Sequence, residues 1–234
     1  YIEGTTDKVL LIDGTYVDDE EQIGVVGDMY ATREKDDIVG YEYVSSTDNT
    51  SGQYIDGTIE VTYYYRLLNY KYTVNYLEKD INEQIHESKD VLDVPYMTII
   101  NSLDEIIDID GYNYDSIDSE NIQITENENT NVINVYYTKR NDLSYTVNYL
   151  EKDTNKVIYE PKTTDNMTFE DEVTSINEVI EIDGYNYDSV DKNTLVIGTG
   201  ENIINVYYTK RNDLSYRINY LEKDTNKVLS NQKI

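Results

Sequence analysis

The chain has 234 residues, with 47 Asp and Glu against 19 Lys and Arg, which gives a formal net charge of −28 and a pI near 4.1. Nucleic-acid binding is excluded because it needs a surplus of Lys and Arg, and the same repulsion disfavours an anionic membrane surface. The absence of cysteine and the presence of one histidine, His86, argue against disulfides, thiolate metal sites and a Ser-His-Asp triad. No apolar run approaches the ~20 residues that span a bilayer, so no membrane insertion is expected.

Internal repetition governs the organisation of the chain. Residues 135–153 and 206–224 are identical at 17 of 19 positions, and the motif IDGYNYDS occurs twice. A looser copy comes first, and the Gly-Tyr pairs keep the same phase in all three copies. The sequence therefore predicts three repeats and the start of a fourth, and the first repeat lacks its first few residues. The predicted boundaries are 1–71, 72–144, 145–215 and 216–234.

The third repeat begins with a predicted hairpin. Residues 145–151 alternate aromatic or β-branched residues with polar ones, which predicts a strand with Tyr145 and Tyr149 on the same face. Residues 153–155, Asp-Thr-Asn, are typical of a turn, so residues 157–159 are predicted to return as the second strand.

A short helix is predicted next, over residues 168–176. Thr168 is followed three residues later by an aspartate, which resembles a capping box, and Phe169, Val173 and Ile176 stand at helical spacing. The remaining segments of the repeat are predicted as strands at 179–182, 184–188, 194–197 and 202–209.

This order of elements predicts an α+β fold that is dominated by strands. A hairpin, a short helix and a last strand in the middle of the sheet are what a β-grasp (ubiquitin-like) module requires. In such a module the first and last strands would lie side by side and parallel. The connection at 210–215 contains no Gly or Pro, which favours stiff joints and tandem modules arranged as an elongated rod.

The first repeat contains a G-x-x-G-x-x-Y segment, a Gly-Tyr strand and a terminal V-x-Y-x-Y strand, which here are Gly24, Gly27 and Tyr30, Gly40 and Tyr41, and Val61, Tyr63 and Tyr65. Through these motifs it resembles the MucBP (mucin-binding protein) repeat of Gram-positive cell-surface adhesins. The second and third repeats keep the last two features and lack the first. The resemblance implies a β-grasp-like fold, an extracellular location on the cell wall of a Gram-positive bacterium, and attachment to peptidoglycan through regions outside this fragment.

The alternating tyrosines are the candidate binding residues. A tyrosine offers an apolar plane for a sugar ring and a hydroxyl for hydrogen bonding, so a Tyr-lined strand face could bind glycans. The alternative is that tyrosine replaces Phe and Trp in the core and in cross-strand pairs, since the chain has 26 Tyr, one Phe and no Trp. The candidate residues are Tyr41, Tyr43, Tyr112, Tyr114, Tyr185 and Tyr187.

Two further site hypotheses are weaker. The acidic stretches 108–115 and 181–188 suggest calcium, but they lack the glycine and glutamate spacing of an EF-hand, and an exposed polar strand face explains them. A Lys–Asn isopeptide bond would draw on residues such as Lys152 and Asn148, although polar positions beside a hairpin turn are the ordinary interpretation. No metal and no cofactor are predicted.

Two functions remain open at this point. The repeats act as a stalk that projects a distal binding head, or they bind host mucin or other glycans themselves, with avidity from repetition. The charge favours the stalk, because mucins carry negatively charged sialic acid and sulfate, which the acidic repeats would repel. No arrangement of residues supports catalysis, so an enzyme is not expected, and neither is an obligate oligomer. Residues 216–234 are expected to pack on the third repeat or on the sheet edge of a neighbouring chain.

Overall fold

The computed structural model describes residues 21–35 and 38–229, together with the backbone of residues 2–3, 11–12 and 15–16. The chain forms two compact units, Tyr1–Thr138 and Lys139–Ile234. Strands dominate both units, as the sequence predicted. Within the described residues the helical structure consists of two short 3-10 helices, Ser102–Glu105 and Ser175–Glu178.

The strands are numbered in chain order. In the first unit and up to its boundary they are β1 (Ile2–Glu3), β2 (Leu11–Ile12), β3 (Thr15–Tyr16), β4 (Met29–Ala31), β5 (Tyr41–Ser46), β6 (Ser51–Gln53), β7 (Tyr63–Leu67), β8 (Asn69–Glu78), β9 (Gln84–Pro95), β10 (Ile99–Asn101), β11 (Tyr112–Ile117), β12 (Asn121–Gln123) and β13 (Val132–Lys139). In the second unit they are β14 (Leu143–Glu151), β15 (Val157–Met167), β16 (Glu172–Thr174), β17 (Tyr185–Val190), β18 (Thr194–Val196) and β19 (Ile203–Lys210).

The second unit contains a four-stranded sheet, the third sheet, with the order β15-β14-β19-β17. The predicted hairpin is confirmed, because β14 and β15 pair antiparallel. Its turn places Asn155 at a φ of 53°, a left-handed conformation that asparagine tolerates well. In the centre of the sheet, β14 and β19 are parallel, with Thr146 opposite Ile203 and Glu151 opposite Tyr208.

The first unit contains two further sheets of this kind, each with a first and a last strand that are parallel neighbours. The second sheet has the order β11-β13-β8-β9, and its central strands β8 and β13 are parallel, from Thr73 opposite Val132 to Glu78 opposite Tyr137. The first sheet has the order β1-β7-β5, with β1 parallel to β7. In all three sheets, therefore, the first and last strands of the pattern lie side by side in the same direction.

The alternation of the sequence explains where the core lies. Every second residue of β14 and β19 is buried, and most of the residues between them are half-buried on the other face. The two-stranded antiparallel sheet of β16 and β18 packs Val173 and Leu195 into the core on this buried face, and the 3-10 helix Ser175–Glu178 directly follows β16. The buried core residues of the third sheet are Leu143, Tyr145, Val147, Tyr149, Leu195, Ile197, Ile204, Val206 and Tyr208.

The predicted helix over residues 168–176 is wrong. The Thr168 amide does donate to Asp171 Oδ2, at 2.8 Å, but Glu170 adopts a φ of 68° and donates its amide to the Ile197 carbonyl. A left-handed residue whose amide is bonded to another segment cannot continue a helix. Residues 172–174 instead form strand β16.

The predicted strand at 179–182 is also wrong. This segment has no ladder partner and follows the 3-10 helix as an extended stretch that packs Val179, Ile180 and Ile182 against the core. The backbone hydrogen bonds of Ile180 go to a side chain, because the Tyr208 hydroxyl accepts the Ile180 amide at 3.1 Å and donates to the Ile180 carbonyl at 2.9 Å. The apolar residues of this segment can be seen in the sequence. The Tyr208 hydroxyl, which takes the place of a neighbouring strand, cannot.

The segment 216–229 forms a small hairpin with itself. Leu221 and Val228 make an antiparallel bridge, and the Leu229 amide donates to the Tyr220 carbonyl at 2.8 Å. Tyr216 is 87% exposed, and the other described residues of the segment are exposed as well. The expected packing of this segment on the third repeat is therefore not observed over these residues.

Within the first unit, the first and second sheets meet at a tight joint. Leu68 alone separates β7 from β8, its amide donates to the Gly40 carbonyl at 2.8 Å, and its carbonyl accepts the Tyr96 amide at 3.0 Å. Gly40 adopts a φ of +76°, and a Cβ on this residue would lie 2.1 Å from the Tyr96 ring. The aromatic ring of the second sheet therefore packs directly on the backbone of the first.

Candidate functional site

Tyrosine side chains form rows across the buried faces of the sheets. In the third sheet the row runs Tyr159, Tyr149, Tyr208 and Tyr187, one residue from each strand, with successive ring centroids 5.7, 6.4 and 6.3 Å apart. These spacings and the tilted or edge-on ring planes are those of favourable aromatic pairs. Strand register produces the row, because Tyr149 is opposite Tyr159 and Tyr187 is opposite Tyr208.

The second sheet carries a matching row in which histidine replaces one tyrosine. It runs His86, Tyr76, Tyr137 and Tyr114, with centroids 5.4, 6.4 and 6.2 Å apart. His86 is exposed, but its ring stands edge-on against Tyr76. Strand register places it there, because His86 lies opposite Tyr76.

The centre of each row is buried and its ends are open to solvent. Tyr149 and Tyr208 are each 1% exposed, whereas Tyr159 is 52% and Tyr187 is 42% exposed. The hydroxyl of Tyr208 is bonded to Ile180, so the central rings act as core. What the row offers a ligand is therefore one partly exposed ring at each side of the sheet.

The six candidate glycan-binding residues divide into two sets. Tyr41, Tyr112 and Tyr185 are partly buried and pack against the three cores. Tyr43, Tyr114 and Tyr187 are 43%, 43% and 42% exposed and lean on buried tyrosines of the neighbouring strand. The structure thus gives three exposed rings, one per sheet, and each makes the cross-strand contact that the alternative interpretation expected.

A buried cluster of one glutamate, one tyrosine and one lysine was not predicted from the sequence. Glu178 ends the 3-10 helix of the third sheet, and its carboxylate accepts the Tyr145 hydroxyl at 2.9 Å and the Lys162 ammonium at 2.6 Å. The Glu178 side chain is 10% exposed and that of Lys162 is 51% exposed. The hydrogen bond that the Lys162 ammonium donates to Glu178 raises the pKa of Lys162, against the opposing effect of desolvation.

The second sheet repeats this cluster. Glu105 accepts the Tyr72 hydroxyl at 2.7 Å and the Lys89 ammonium at 2.5 Å. Burial, then the hydrogen bond to Glu105, raises the pKa of the Tyr72 phenol. The cluster holds the 3-10 helix against the sheet and neutralises a buried carboxylate, which is a structural role. The Ser-x-x-Glu pattern at a fixed distance before the Gly-Tyr pairs of the second and third repeats was the available sequence signal.

Polar side chains on the opposite sheet face are paired with one another. The Asn148 amide donates to Asn205 at 3.0 Å, and the Asn205 amide donates to Asp191 at 3.0 Å. Lys152 instead pairs with Asp188 at 2.5 Å. The structure therefore does not bring Lys152 and Asn148 together as an isopeptide bond would require.

The acidic stretches do not gather into a metal site within the described residues. No group of three or more His, Asp or Glu side chains is arranged there to hold an ion. Asp115 and Asp188 each pair with a lysine at 2.5 Å, and the hydrogen bond from that lysine is the main reason that the pKa of each carboxyl is lowered.

Among the residues that the structure describes, no helix has the length and apolar character needed to cross a bilayer.

Comparisons with known proteins support one part of the sequence analysis. Residues 10–66 match the family model of the MucBP domain, which confirms the resemblance proposed for the first repeat. No curated protein matches the chain. One similar solved structure is that of Streptococcal High Identity Repeats in Tandem (SHIRT) domains 3-4 from a cell surface protein, with 10% identity and a TM-score of 0.25 over 61% of this chain and 98% of that chain.

Proposed function

We propose that this chain is a repeat region of a cell-wall-attached surface adhesin of a Gram-positive bacterium, and that it acts mainly as a stalk that carries a distal binding head. The MucBP match at residues 10–66 supports the surface-protein context. The proposed modules are 1–71, 72–144 and 145–215, followed by the start of a fourth at 216–234. Their location is extracellular, and the attachment to peptidoglycan is supplied by other regions of the protein.

The parallel pairing of first and last strands is the observation that carries the stalk proposal. In the third sheet, β14 and β19 run in the same direction over six residue pairs. A force that pulls the start of β14 away from the end of β19 acts along both strands. All the hydrogen bonds between them are then loaded together, whereas a hairpin pulled from its open end breaks them one at a time. The same geometry in the second sheet makes each module resistant to tension.

The module fold that we propose is of the β-grasp type. The support is the sheet order, with a hairpin at one edge and two parallel strands at the centre. A 3-10 helix and the two-stranded sheet of β16 and β18 take the place of the helix that such a module requires. An elongated rod follows if each joint resembles the one around Gly40, where a single residue links two sheets and makes hydrogen bonds to both.

The stiffness of that joint can be measured with a glycine variant. Gly40→Ala places a Cβ where the Tyr96 ring now lies, so the ring must move away and the joint should loosen. Because the chain has no cysteine, spin labels can be introduced through Thr58→Cys in the first repeat and Asn113→Cys in the second sheet. We expect a narrow distribution of label distances in the parent and a clearly broader one in Gly40→Ala.

The matched control is Gly184→Ala. Gly184 has a φ of +81°, close to the +76° of Gly40, but no described atom lies within 4 Å of its Cβ position. Gly184→Ala therefore reproduces the backbone strain of Gly40→Ala without the clash. An equally broad distribution in the parent chain, or no change in Gly40→Ala, would contradict a stiff joint and with it the rod.

Direct binding of mucin glycans is the second candidate function, and the exposure of Tyr43, Tyr114 and Tyr187 favours it. The net charge of −28 opposes it for sialylated or sulfated chains. The test is binding of the whole chain to immobilised mucin, with and without sialidase, calcium or chelator. The stalk proposal expects no saturable binding under any of these conditions. Saturable binding that is lost in Tyr114→Ala and Tyr187→Ala would instead assign adhesion to the repeats.

A further inference from the structure

A buried asparagine joins the starts of the two central strands in the third sheet. Asn202 stands directly before β19, and its side-chain amide donates to the Ser144 carbonyl at 3.0 Å. Its backbone carbonyl accepts the Thr146 amide at 2.8 Å. Asn202 therefore makes two hydrogen bonds to the first residues of β14, one through its side chain and one through its backbone.

The second sheet repeats this arrangement with the same atoms. Asn131 stands directly before β13, and its side-chain amide donates to the Lys71 carbonyl at 3.1 Å. Its backbone carbonyl accepts the Thr73 amide at 2.9 Å. In the first repeat the equivalent position, counted back from the terminal strand motif, is Ile59. That side chain has no amide, so the arrangement belongs to the second and third modules.

The side-chain amide takes the place of a backbone group. In a parallel ladder, a residue donates its backbone amide to one carbonyl of the neighbouring strand and accepts the amide two residues further along that strand. Asn131 keeps the accepting bond, but its own backbone amide donates to the Glu128 carbonyl at 3.2 Å. Its side chain supplies the missing donor. The ladder, whose first pair is Thr73 and Val132, is thereby extended by one hydrogen bond.

Both asparagines are shielded from water and also hold a turn. Asn131 is 1% and Asn202 is 8% exposed. The side-chain oxygen of Asn202 accepts the Gly198 amide at 2.9 Å, and its side-chain amide also donates to the Gly198 carbonyl at 2.9 Å. Asn131 makes the same two bonds with Thr125, both at 2.9 Å. A buried amide that is bonded on all sides is fixed in position, and its hydrogen bond to the first strand is strengthened by the low local dielectric.

The added hydrogen bond lies at an end of the parallel strand pair where tension acts. A pull on the chain acts on the first and last residues of a module, which in the third module means the start of β14 and the end of β19. When two overlapping strands are sheared, the outermost bonds bear the load first. The bond from Asn202 to Ser144 lies outside the first ladder pair, Thr146 and Ile203.

We propose that Asn131 and Asn202 are positioning residues that set the resistance of their modules to tension, because each adds a water-shielded hydrogen bond at a loaded end of the parallel strand pair. This inference rests on the stalk function proposed above and names residues through which the fold bears load. It requires that place and burial decide the effect. Asn148 also donates across the pair, to Asn205 at 3.0 Å, but it is half-buried and lies in the middle of the pair.

A force-clamp measurement on the whole chain tests the proposal. Handles on Asn141→Cys and Asn212→Cys enclose the third module alone and leave Ser144 unmodified, and the chain has no other cysteine. We expect the lifetime of the module under constant shear load to fall roughly tenfold in Asn202→Ala, which is the effect of removing one shielded hydrogen bond from the barrier. Circular dichroism verifies folding. If Asn202→Ala does not fold, Asn202→Ser replaces it, because the hydroxyl is one bond shorter and does not reach Ser144.

Two variants are matched controls. Asn148→Ala removes a side-chain hydrogen bond between the same two strands, from the middle of the pair and from a half-buried site, and should shorten the lifetime by no more than about twofold. Tyr208→Phe removes two hydrogen bonds to Ile180 and so lowers stability, but these bonds do not join β14 to β19. It should also shorten the lifetime by no more than about twofold.

The outcomes separate this inference from the stalk proposal. An unchanged lifetime in Asn202→Ala, or one that falls no further than in the two controls, would overturn the role of Asn202. The stalk is judged on the parent chain, with a second handle pair, Asn141→Cys and Asp165→Cys, that unzips the β14–β15 hairpin. A parent that is no more durable in shear than in unzipping contradicts the stalk itself. A parent that is more durable in shear, with Asn202→Ala equal to the controls, contradicts the asparagine proposal alone.

Discussion

Replacement of Tyr208 by alanine is expected to lower the free energy of unfolding of the third-sheet module by about 3–5 kcal/mol, the usual result of removing a buried aromatic side chain. Tyr208 is 1% exposed and lies at the centre of the aromatic row. Its hydroxyl also satisfies both backbone groups of Ile180. Because small domains are stable by only about 5–15 kcal/mol, the module should be close to unfolding, which urea denaturation followed by circular dichroism would show.

Two companion variants separate the contributions to this loss. Tyr208→Phe keeps the ring and leaves the Ile180 amide and carbonyl without their partner, which should cost about 1–3 kcal/mol. Tyr187→Ala removes the exposed neighbour in the same row, 42% exposed, and should cost about 1 kcal/mol or less. A loss in Tyr187→Ala as large as that in Tyr208→Ala would show that the row is not a core with solvent-exposed ends.

Alkaline pH is expected to unfold the modules steeply. Burial is the largest cause that raises the pKa of Tyr149 and of Tyr208. Their phenols therefore ionise in the unfolded chain, near pH 10, before they do so in the folded one. The stabilisation is complete below that pH and is lost as the pH rises towards the folded pKa. Each such tyrosine contributes a slope of up to about 1.4 kcal/mol per pH unit.

The slope should therefore reach about 2.7 kcal/mol per pH unit for the third sheet from these two tyrosines alone. The raised pKa of Lys162 acts in the same direction, since that lysine also loses its proton earlier in the unfolded chain. Urea midpoints between pH 9 and about pH 11 measure the effect, and Tyr208→Phe should reduce the slope by up to about 1.4 kcal/mol per pH unit. A free energy of unfolding that stays constant over this range would contradict the buried, neutral state of the phenols.

The strands were predictable because their signals are local. The alternation in residues 145–151 and the Asp-Thr-Asn turn define β14, its hairpin and the face that Tyr149 buries. The helix over 168–176 failed because its periodicity was real but its backbone bonds are not local. Glu170 is held by Ile197 and Phe169 by the Arg140 carbonyl, and no window of the sequence contains those partners.

For the candidate site, too, the local features were predictable and the long-range contacts were not. The spacing of Tyr185 and Tyr187 correctly put both on one strand, and burial then separated them, with one ring packed on the core and the other exposed. Glu178 was hidden among 47 acidic residues. Its role depends on Tyr145, 33 residues earlier in the chain. Long-range pairing of this kind is a property of the fold, which composition and spacing do not contain.

Single-molecule pulling of the third sheet in two directions tests the stalk most directly. Handles on Ser144→Cys and Asn212→Cys pull the start of β14 against the end of β19, so the parallel strands are sheared. Handles on Ser144→Cys and Asp165→Cys pull the open end of the antiparallel β14–β15 hairpin, so the same module is unzipped. The account predicts a clearly higher unfolding force for the first pair. Equal forces, or a lower force for the first pair, would contradict a fold suited to bearing tension along its parallel strands.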